Sequence, residues 1–131
     1  MFRRQELVRF QHCDPAGIVF YPRYVEMINA TVEDWFAQAV GTDFAKIHGE
    51  LRSAIPAVSL QIDFHAPSRL GEVLDFDLTV EQLGSTSIKI RVSASAGGVV
   101  RLSGLVTLVH ISLEDYRPRL WPEAMRESVA P

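Results

Sequence analysis

The hydrophobic period of this chain changes once, and that change limits the folds open to it. Apolar residues fall at Tyr21, Tyr24, Val25, Ile28, Val32, Trp35, Phe36 and Ala39. The spacing predicts one amphipathic helix of about 18 residues, starting at Tyr21 or Pro22 and ending at Gly41. Pro22 suits the first turn, where a missing N–H costs nothing. Arg23, Glu26, Glu33 and Asp34 lie largely off the apolar stripe. Thr42 is a candidate cap for a short second helix through about His48. From Val58 the period becomes two. Val58, Leu60, Ile62 and Phe64 alternate with polar residues, as do Leu74, Phe76, Leu78 and Val80, then Ile88, Ile90 and Val92. These read as half-buried strands. Residues 99 to 111 are apolar on both faces in part, which predicts an interior strand. Residues 2 to 10 suggest a further short strand before the helix.

The connections at Pro67–Gly71, Leu83–Thr86 and Gly97–Gly98 are turns. They are too short for parallel crossovers, which take a dozen or more residues. The predicted architecture is therefore α+β: a curved five-stranded antiparallel sheet wrapped around one long helix, with the apolar sheet face on the helix stripe. An exposed sheet edge is a liability that a second copy commonly covers. A homo-oligomer is expected, a dimer or a tetramer.

Hydrophobic residues make up 47 % of the 131 residues, enough for one core and a single domain spanning 1–131. The net charge of -3 argues against nucleic acid, whose partners usually carry a basic excess. The cations are eleven Arg and two Lys. Arg makes forked contacts to carboxylates and phosphates, so anionic ligands fit. Cys13 is the only cysteine, which excludes an intrachain disulfide and fits a reducing, cytoplasmic setting. No apolar run approaches the ~20 residues of a membrane span, and MFRRQELVRF has no signal-peptide core. No Cys/His/Asp cluster has metal spacing, and the glycine turns are too short for phosphate loops. No metal or cofactor is expected. The Arg-rich stretch YRPRLWPEAMRESV is expected to pack an amphipathic segment back on the domain.

One segment carries the chemistry: QHCDPAG at residues 11 to 17. Adjacent residues of an extended chain point to opposite sides, so His12, Cys13 and Asp14 cannot form a triad among themselves. Cys13 reads as a small, partly buried side chain. As a nucleophile it would need a base from His48, His65 or His110. His12 and His65 read as structural residues. Asp14 has two readings. It caps the turn, as Asp often does. Or it reaches a substrate carbonyl held at the helix start, where the first N–H groups lack internal partners and favour negative charge.

The stretch CDPAGIVFYPRYVEMINATVEDWF resembles the signature of hotdog-fold acyl-CoA thioesterases, specifically the 4-hydroxybenzoyl-CoA thioesterase family. IPAVSLQIDFHAPSRLGEVLDF resembles that family's second and third strands, including the Pro-Ser-Arg-x-Gly-acid turn. The resemblance covers most of the chain. It implies that Asp14 is the catalytic carboxylate, as nucleophile or general base. Tyr21 matches the position whose backbone N–H holds the thioester oxygen, and Gly17 the turn glycine. It also implies dimers or tetramers with active sites at subunit interfaces, and coenzyme A as part of the substrate.

Two positions depart from the pattern. Asn29 stands where the benzoyl-type enzyme has a helix acid near the para substituent of the ring. Gly84-Ser85-Thr86 stands where that enzyme has an Arg/Lys cluster on the coenzyme A phosphates. Ser85 and Thr86 are thus candidate phosphate contacts without charge. Arg69, Lys89 or Arg91 could supply the cation, and each also reads as a solvated surface charge. The expected activity is hydrolysis of acyl-CoA, with an aromatic or otherwise compact acyl group. Aliphatic acyl-CoA or acyl-carrier-protein thioesters are the alternative. Two further classes share the fold: a hydratase, which would need a His–acid pair, and a non-catalytic acyl-thioester binder.

Overall fold

The computed structural model describes residues 1–129. Along the chain come β1 (Phe2–Leu7), α1 (Tyr21–Trp35), α2 (Phe44–Gly49), β2 (Ser53–Ala54), β3 (Ala57–Phe64), β4 (Val73–Leu83), β5 (Ser87–Ala96), β6 (Val99–Val109), β7 (Ile111–Ser112) and α3 (Glu123–Val129). Five strands pair in the order β1-β4-β5-β6-β3, every pair antiparallel. The register slips at Ala57/Ser59, Val80/Gln82 and Ala94/Ser95. Such bulges bend and twist a strand, and the sheet curls around α1. This is the α+β architecture that the change of period predicts and the hotdog fold that the family resemblance implies.

Helix α1 lies in the hollow of the sheet. Its buried residues are Tyr24, Met27, Ile28, Thr31, Val32 and Trp35. They share one core with Leu74, Phe76 and Leu78 of β4, Ile88, Ile90 and Val92 of β5, and Leu102, Val106 and Leu108 of β6. Truncating a fully buried aromatic such as Phe76 to Ala would cost about 3–5 kcal/mol. The stripe is turned slightly from the sequence expectation. Tyr21 and Ala39 are exposed, while Met27 and Thr31 are buried. Helical winding continues past Trp35 as a wider π-type turn over Phe36–Val40 and ends at Gly41, whose φ of 86° is left-handed. Only glycine takes that conformation without a steric penalty.

Three details differ from the sequence reading. Strand β1 stops at Leu7, and a single 3-10 turn follows at Phe10–His12. Asp43, not Thr42, caps α2, its carboxylate accepting from the Lys46 N–H at 2.8 Å. A two-residue ladder joins β2 to β7; two-residue strands are too short to leave a periodicity. The Arg-rich stretch does fold back, burying Trp121, Met125 and Val129. Strand β6 is interior, as its two-sided apolarity predicts, and β3 is an edge. All of β3 except Ile62 is exposed. No described helix is long and apolar enough to cross a membrane.

Candidate active site

Residues 14–17 form a tight turn for local reasons. The Gly17 N–H donates to the Asp14 carbonyl at 2.9 Å. Asp at the first place, Pro15 at the second and Gly at the fourth are the preferences of a type I turn. Gly17 has φ +80°, a left-handed value that disfavours other residues. The Asp14 carboxylate takes part: Oδ1 accepts from the Ala16 N–H at 2.9 Å. Oδ2 accepts no hydrogen bond from the described residues, and the side chain is half-buried. Asp14 therefore caps its turn with one oxygen and keeps the other available, so the two sequence readings are compatible.

The turn is tied to the helix start. The Asp14 N–H donates to the Ile18 carbonyl at 3.1 Å, and the Phe20 N–H to the His12 carbonyl at 2.9 Å. Phe20 is extended (φ -71°, ψ 126°) and α1 begins at Tyr21 with no side-chain cap. The Arg23 N–H turns back to the Phe20 carbonyl at 2.9 Å. Pro22 has no N–H. The Tyr21 N–H, first in the helix, therefore lacks an intrahelical partner. An uncapped helix start of this kind favours an oxygen carrying negative charge.

Beside it opens a cleft of about 320 Å³ lined by Ile18, Val19, Tyr21, Tyr24, Phe64, His65, Ala66 and Pro67. Its walls are aromatic. The Tyr24 and Phe64 ring centroids lie 5.7 Å apart, those of Tyr21 and Phe64 6.3 Å at 73°. Phe64 ends the edge strand β3, so one wall of the cleft stands at the open side of the sheet.

The loop before β4 closes the assembly. Ile18 pairs with Arg69 in an isolated bridge, and the Val19 N–H donates to the Ser68 carbonyl at 2.9 Å. Arg69 is exposed, and its N–H donates to Glu72 Oε1 at 2.6 Å. Glu72 also pairs with Arg101. The Arg101 guanidinium, helped by the Arg69 N–H and opposed by burial, holds the Glu72 carboxyl well below the usual range, at about 2. Sequence reasoning met Glu72 only as the acid of the Pro-Ser-Arg-x-Gly-acid turn and did not single out Arg101. The available signal was a lone cation in the otherwise apolar and small-residue run of β6.

The structure thus gathers Asp14, Gly17, Tyr21 and Arg69 at one end of the sheet. It does not bring Asn29, Ser85 or Thr86 to them. Asn29 is exposed in the middle of α1 and donates to Glu33 Oε2 at 3.3 Å. Ser85 and Thr86 follow β4 at its far end, about 33 Å along the strand from Val73 at ~3.3 Å per residue. Their carbonyls are engaged: Ser85 accepts from the Trp121 N–H at 3.1 Å and Thr86 from the His110 N–H at 2.7 Å. A cation does reach this turn, from a distant part of the chain. Arg126 of α3 donates from Nη1 to the Gly84 carbonyl at 3.0 Å. Lys89 is exposed on the sheet, and Arg91 pairs with Glu81 at 3.0 Å.

Cys13, His12, His65 and His110 each contact neighbours within the fold, and His65 also lines the cleft. His12 is buried, and its Nδ1 accepts from the Arg9 N–H at 2.8 Å. Cys13 is half-buried with its Sγ 3.6 Å from the Arg9 carbonyl. His65 contacts Ser103 Oγ at 2.8 Å through Nε2. His110 is buried and lies 4.9 Å from Trp121, 11° from parallel.

Residues 8–129 match the thioesterase-like superfamily. A 1,4-dihydroxy-2-naphthoyl-CoA hydrolase of Crocosphaera subtropica is 26 % identical over 107 residues, covering 81 % of this chain and 77 % of its own. A 1,4-dihydroxy-2-naphthoyl-CoA thioesterase from Synechocystis superposes with a TM-score of 0.89 at 22 % identity, over 98 % of this chain and 94 % of that one. A gentisyl-coenzyme A thioesterase superposes at 0.87 and 21 % identity, over 99 % and 100 %. With the match running from the residue after β1 to the end of α3, this chain belongs to the thioesterase-like superfamily and is a hotdog-fold thioesterase.

Proposed function

We propose that this protein hydrolyses acyl-CoA thioesters with a compact aromatic acyl group, and that Asp14 carries the reaction. The observation behind this is the aromatic cleft lying against an uncapped helix start, with the Asp14 turn hydrogen-bonded to the cleft wall at Ile18. Tyr21, Tyr24 and Phe64 offer ring faces and edges to a planar acyl group. A cleft of about 320 Å³ suits one or two rings better than a long acyl chain. The relatives that act on naphthoyl-CoA and gentisyl-CoA support the same class.

In this reading the thioester oxygen sits at the Tyr21 N–H, which gains strength as charge develops on that oxygen. Gly17 lets the turn approach closely. Asp14 Oδ2 then acts by one of two routes. It adds to the thioester carbon and expels the coenzyme A thiolate, leaving an acyl anhydride that water cleaves. Or it takes a proton from water as that water adds to the same carbon, and the resulting tetrahedral adduct expels the coenzyme A thiolate to leave the free acid. Arg69 at the cleft's end is a candidate for a substrate phosphate. Arg126, with Ser85 and Thr86, makes a second cationic corner, too far along β4 to serve the same substrate within one chain. Asn29, eight residues along α1 from Tyr21 and exposed, is a candidate contact for the far end of an acyl group.

The working form is a homo-oligomer, a dimer or a tetramer, with each site at an interface. The unpaired edge of β3 supports this, with Val58, Leu60 and Phe64 exposed along it. A cytoplasmic setting fits the lone thiol of Cys13.

The test is thiol release from benzoyl-, hydroxybenzoyl-, short-chain and long-chain acyl-CoAs by wild type and Asp14→Asn. The aromatic esters should give the highest kcat/KM, and the variant should lose at least about 100-fold in kcat. Near-normal turnover by Asp14→Asn would sink the Asp14 mechanism.

A further inference from the structure

Arg101 is the one cation of β6 and is 8 % exposed. Nη1 donates to Glu72 Oε1 at 3.0 Å and Nη2 to Oε2 at 2.9 Å, a bidentate pair. Nη1 also reaches the Pro67 carbonyl at 2.9 Å and Ser68 Oγ at 3.3 Å, and Nη2 the Ala96 carbonyl at 3.4 Å. Nε is buried with no partner. Burying the Arg101 guanidinium is costly, and with 33 % of the Glu72 side chain exposed the attraction of the pair is partly screened by water. Stability alone is therefore a poor reason to keep it here.

What the pair holds suggests a better reason. With one exception, its contacts fall on the loop 67–72. That loop touches both halves of the candidate site. The Ser68 carbonyl accepts from Val19, two residues before the helix start, and Arg69 bridges Ile18. Ser68 Oγ accepts from Tyr24 Oη at 2.8 Å, in the first turn of α1. The Ile18 carbonyl in turn holds the Asp14 N–H. One short loop separates the ion pair from the carboxylate and from the uncapped amide.

We propose that Arg101 and Glu72 are positioning residues for thioester hydrolysis. By fixing loop 67–72 they set the spacing between the Asp14 carboxylate and the Tyr21 N–H. This rests on the reading of Asp14 given above. A displacement of about 1 Å at a reacting group can cost about 100-fold in rate, so a well-folded protein with a loosened loop would still be a poor catalyst.

The experiment uses full-length Arg101→Lys and Glu72→Gln, each alone and combined with Asp14→Asn, assayed by thiol release from benzoyl-CoA alongside thermal melts. Lysine keeps the charge but not the fork. Each single variant should lose at least about 10-fold in kcat, with KM within about 3-fold, because misplacement of the reacting groups falls on the chemical step. In the Asp14→Asn background the same substitutions should change the residual rate less than about 2-fold, since groups acting as a unit are non-additive. Normal kcat with a lowered Tm overturns the proposal, and so do losses that multiply with Asp14→Asn. If Arg101→Lys does not fold, Glu72→Gln decides by the same criteria. Full turnover by Asp14→Asn alone removes the Asp14 reading and this inference together. A dead Asp14→Asn with multiplying losses removes this inference only.

Discussion

Tyr24 Oη donates to Ser68 Oγ over 2.8 Å in a buried setting, so the first turn of α1 and the loop before β4 are fastened side chain to side chain. Removing the hydroxyl by Tyr24→Phe keeps the ring in the cleft and leaves Ser68 Oγ with Arg101. The loss of one such bond should cost about 1 kcal/mol. At this chain length that is about 3–5 °C in Tm. Calorimetry checks the first figure, and thiol release should show kcat falling more than KM rises.

Phe64 makes both of its aromatic contacts across the cleft, to Tyr21 and Tyr24. Phe64→Leu keeps an apolar wall and removes the ring. A stacking partner is worth about 1 kcal/mol beyond its area, which is about 5-fold in affinity. KM for benzoyl-CoA should rise by that factor, while KM for acetyl-CoA stays within error. Equal shifts for both esters would mean that the cleft does not hold the acyl group.

Cys13 offers the converse test. Its thiol is half-buried near the Arg9 carbonyl, and no role in the proposed chemistry depends on it. Cys13→Ala should keep kcat within about 2-fold and cost no more than ~1 kcal/mol, the scale of a lost small contact. A folded but inactive Cys13→Ala would reinstate the thiol as nucleophile.

His110 predicts an acid sensitivity remote from the site. Burial pushes its imidazole below the ordinary 6.5, although the Arg119 and Leu120 carbonyls accept from it and oppose that shift. A group depressed in the folded state binds fewer protons there than when unfolded. Its stabilising contribution is thus complete above about pH 6.5 and declines as pH falls below that value. His110→Phe keeps a ring to stack on Trp121 and cannot titrate. It should lower Tm at every pH, yet lose less Tm between pH 7.5 and 5.5 than wild type does. Trp fluorescence melts at the two pH values give the comparison.

The fold was legible because its signals are periodic. A stripe of period near 3.6 followed by alternations of period two leaves few antiparallel arrangements, and Gly41, Gly71 and Gly97 mark three of the breaks. The turn at Asp14 was legible because Asp, Pro and Gly stand at their preferred turn places just upstream of a helix start, while its catalytic reading came only from the family resemblance. Arg101 was not. Its importance lies in Glu72, Pro67 and Ser68, some thirty residues away, and a single strand residue gives no sign of what it will grip. Arg126 escaped for the same reason, since only the folded chain lays α3 against Gly84. The cap of α2 was missed by one position because Thr42 and Asp43 are both good capping residues. Only the Lys46 N–H chooses between them.

The two ends of β4 carry different halves of what the proposed chemistry needs: a carboxylate and an open amide by Val73, a guanidinium and two hydroxyls past Leu83. In the proposed homo-oligomer, a single extended substrate spanning both would take one half from a neighbouring molecule. Two damaged chains would then repair each other. Chains lacking the Asp14 carboxylate, co-assembled with chains lacking the Arg126 guanidinium, would contain some sites with both halves intact, and the mixture would outperform either parent. Activity would also fade on dilution as the assemblies part, well before any chain unfolds.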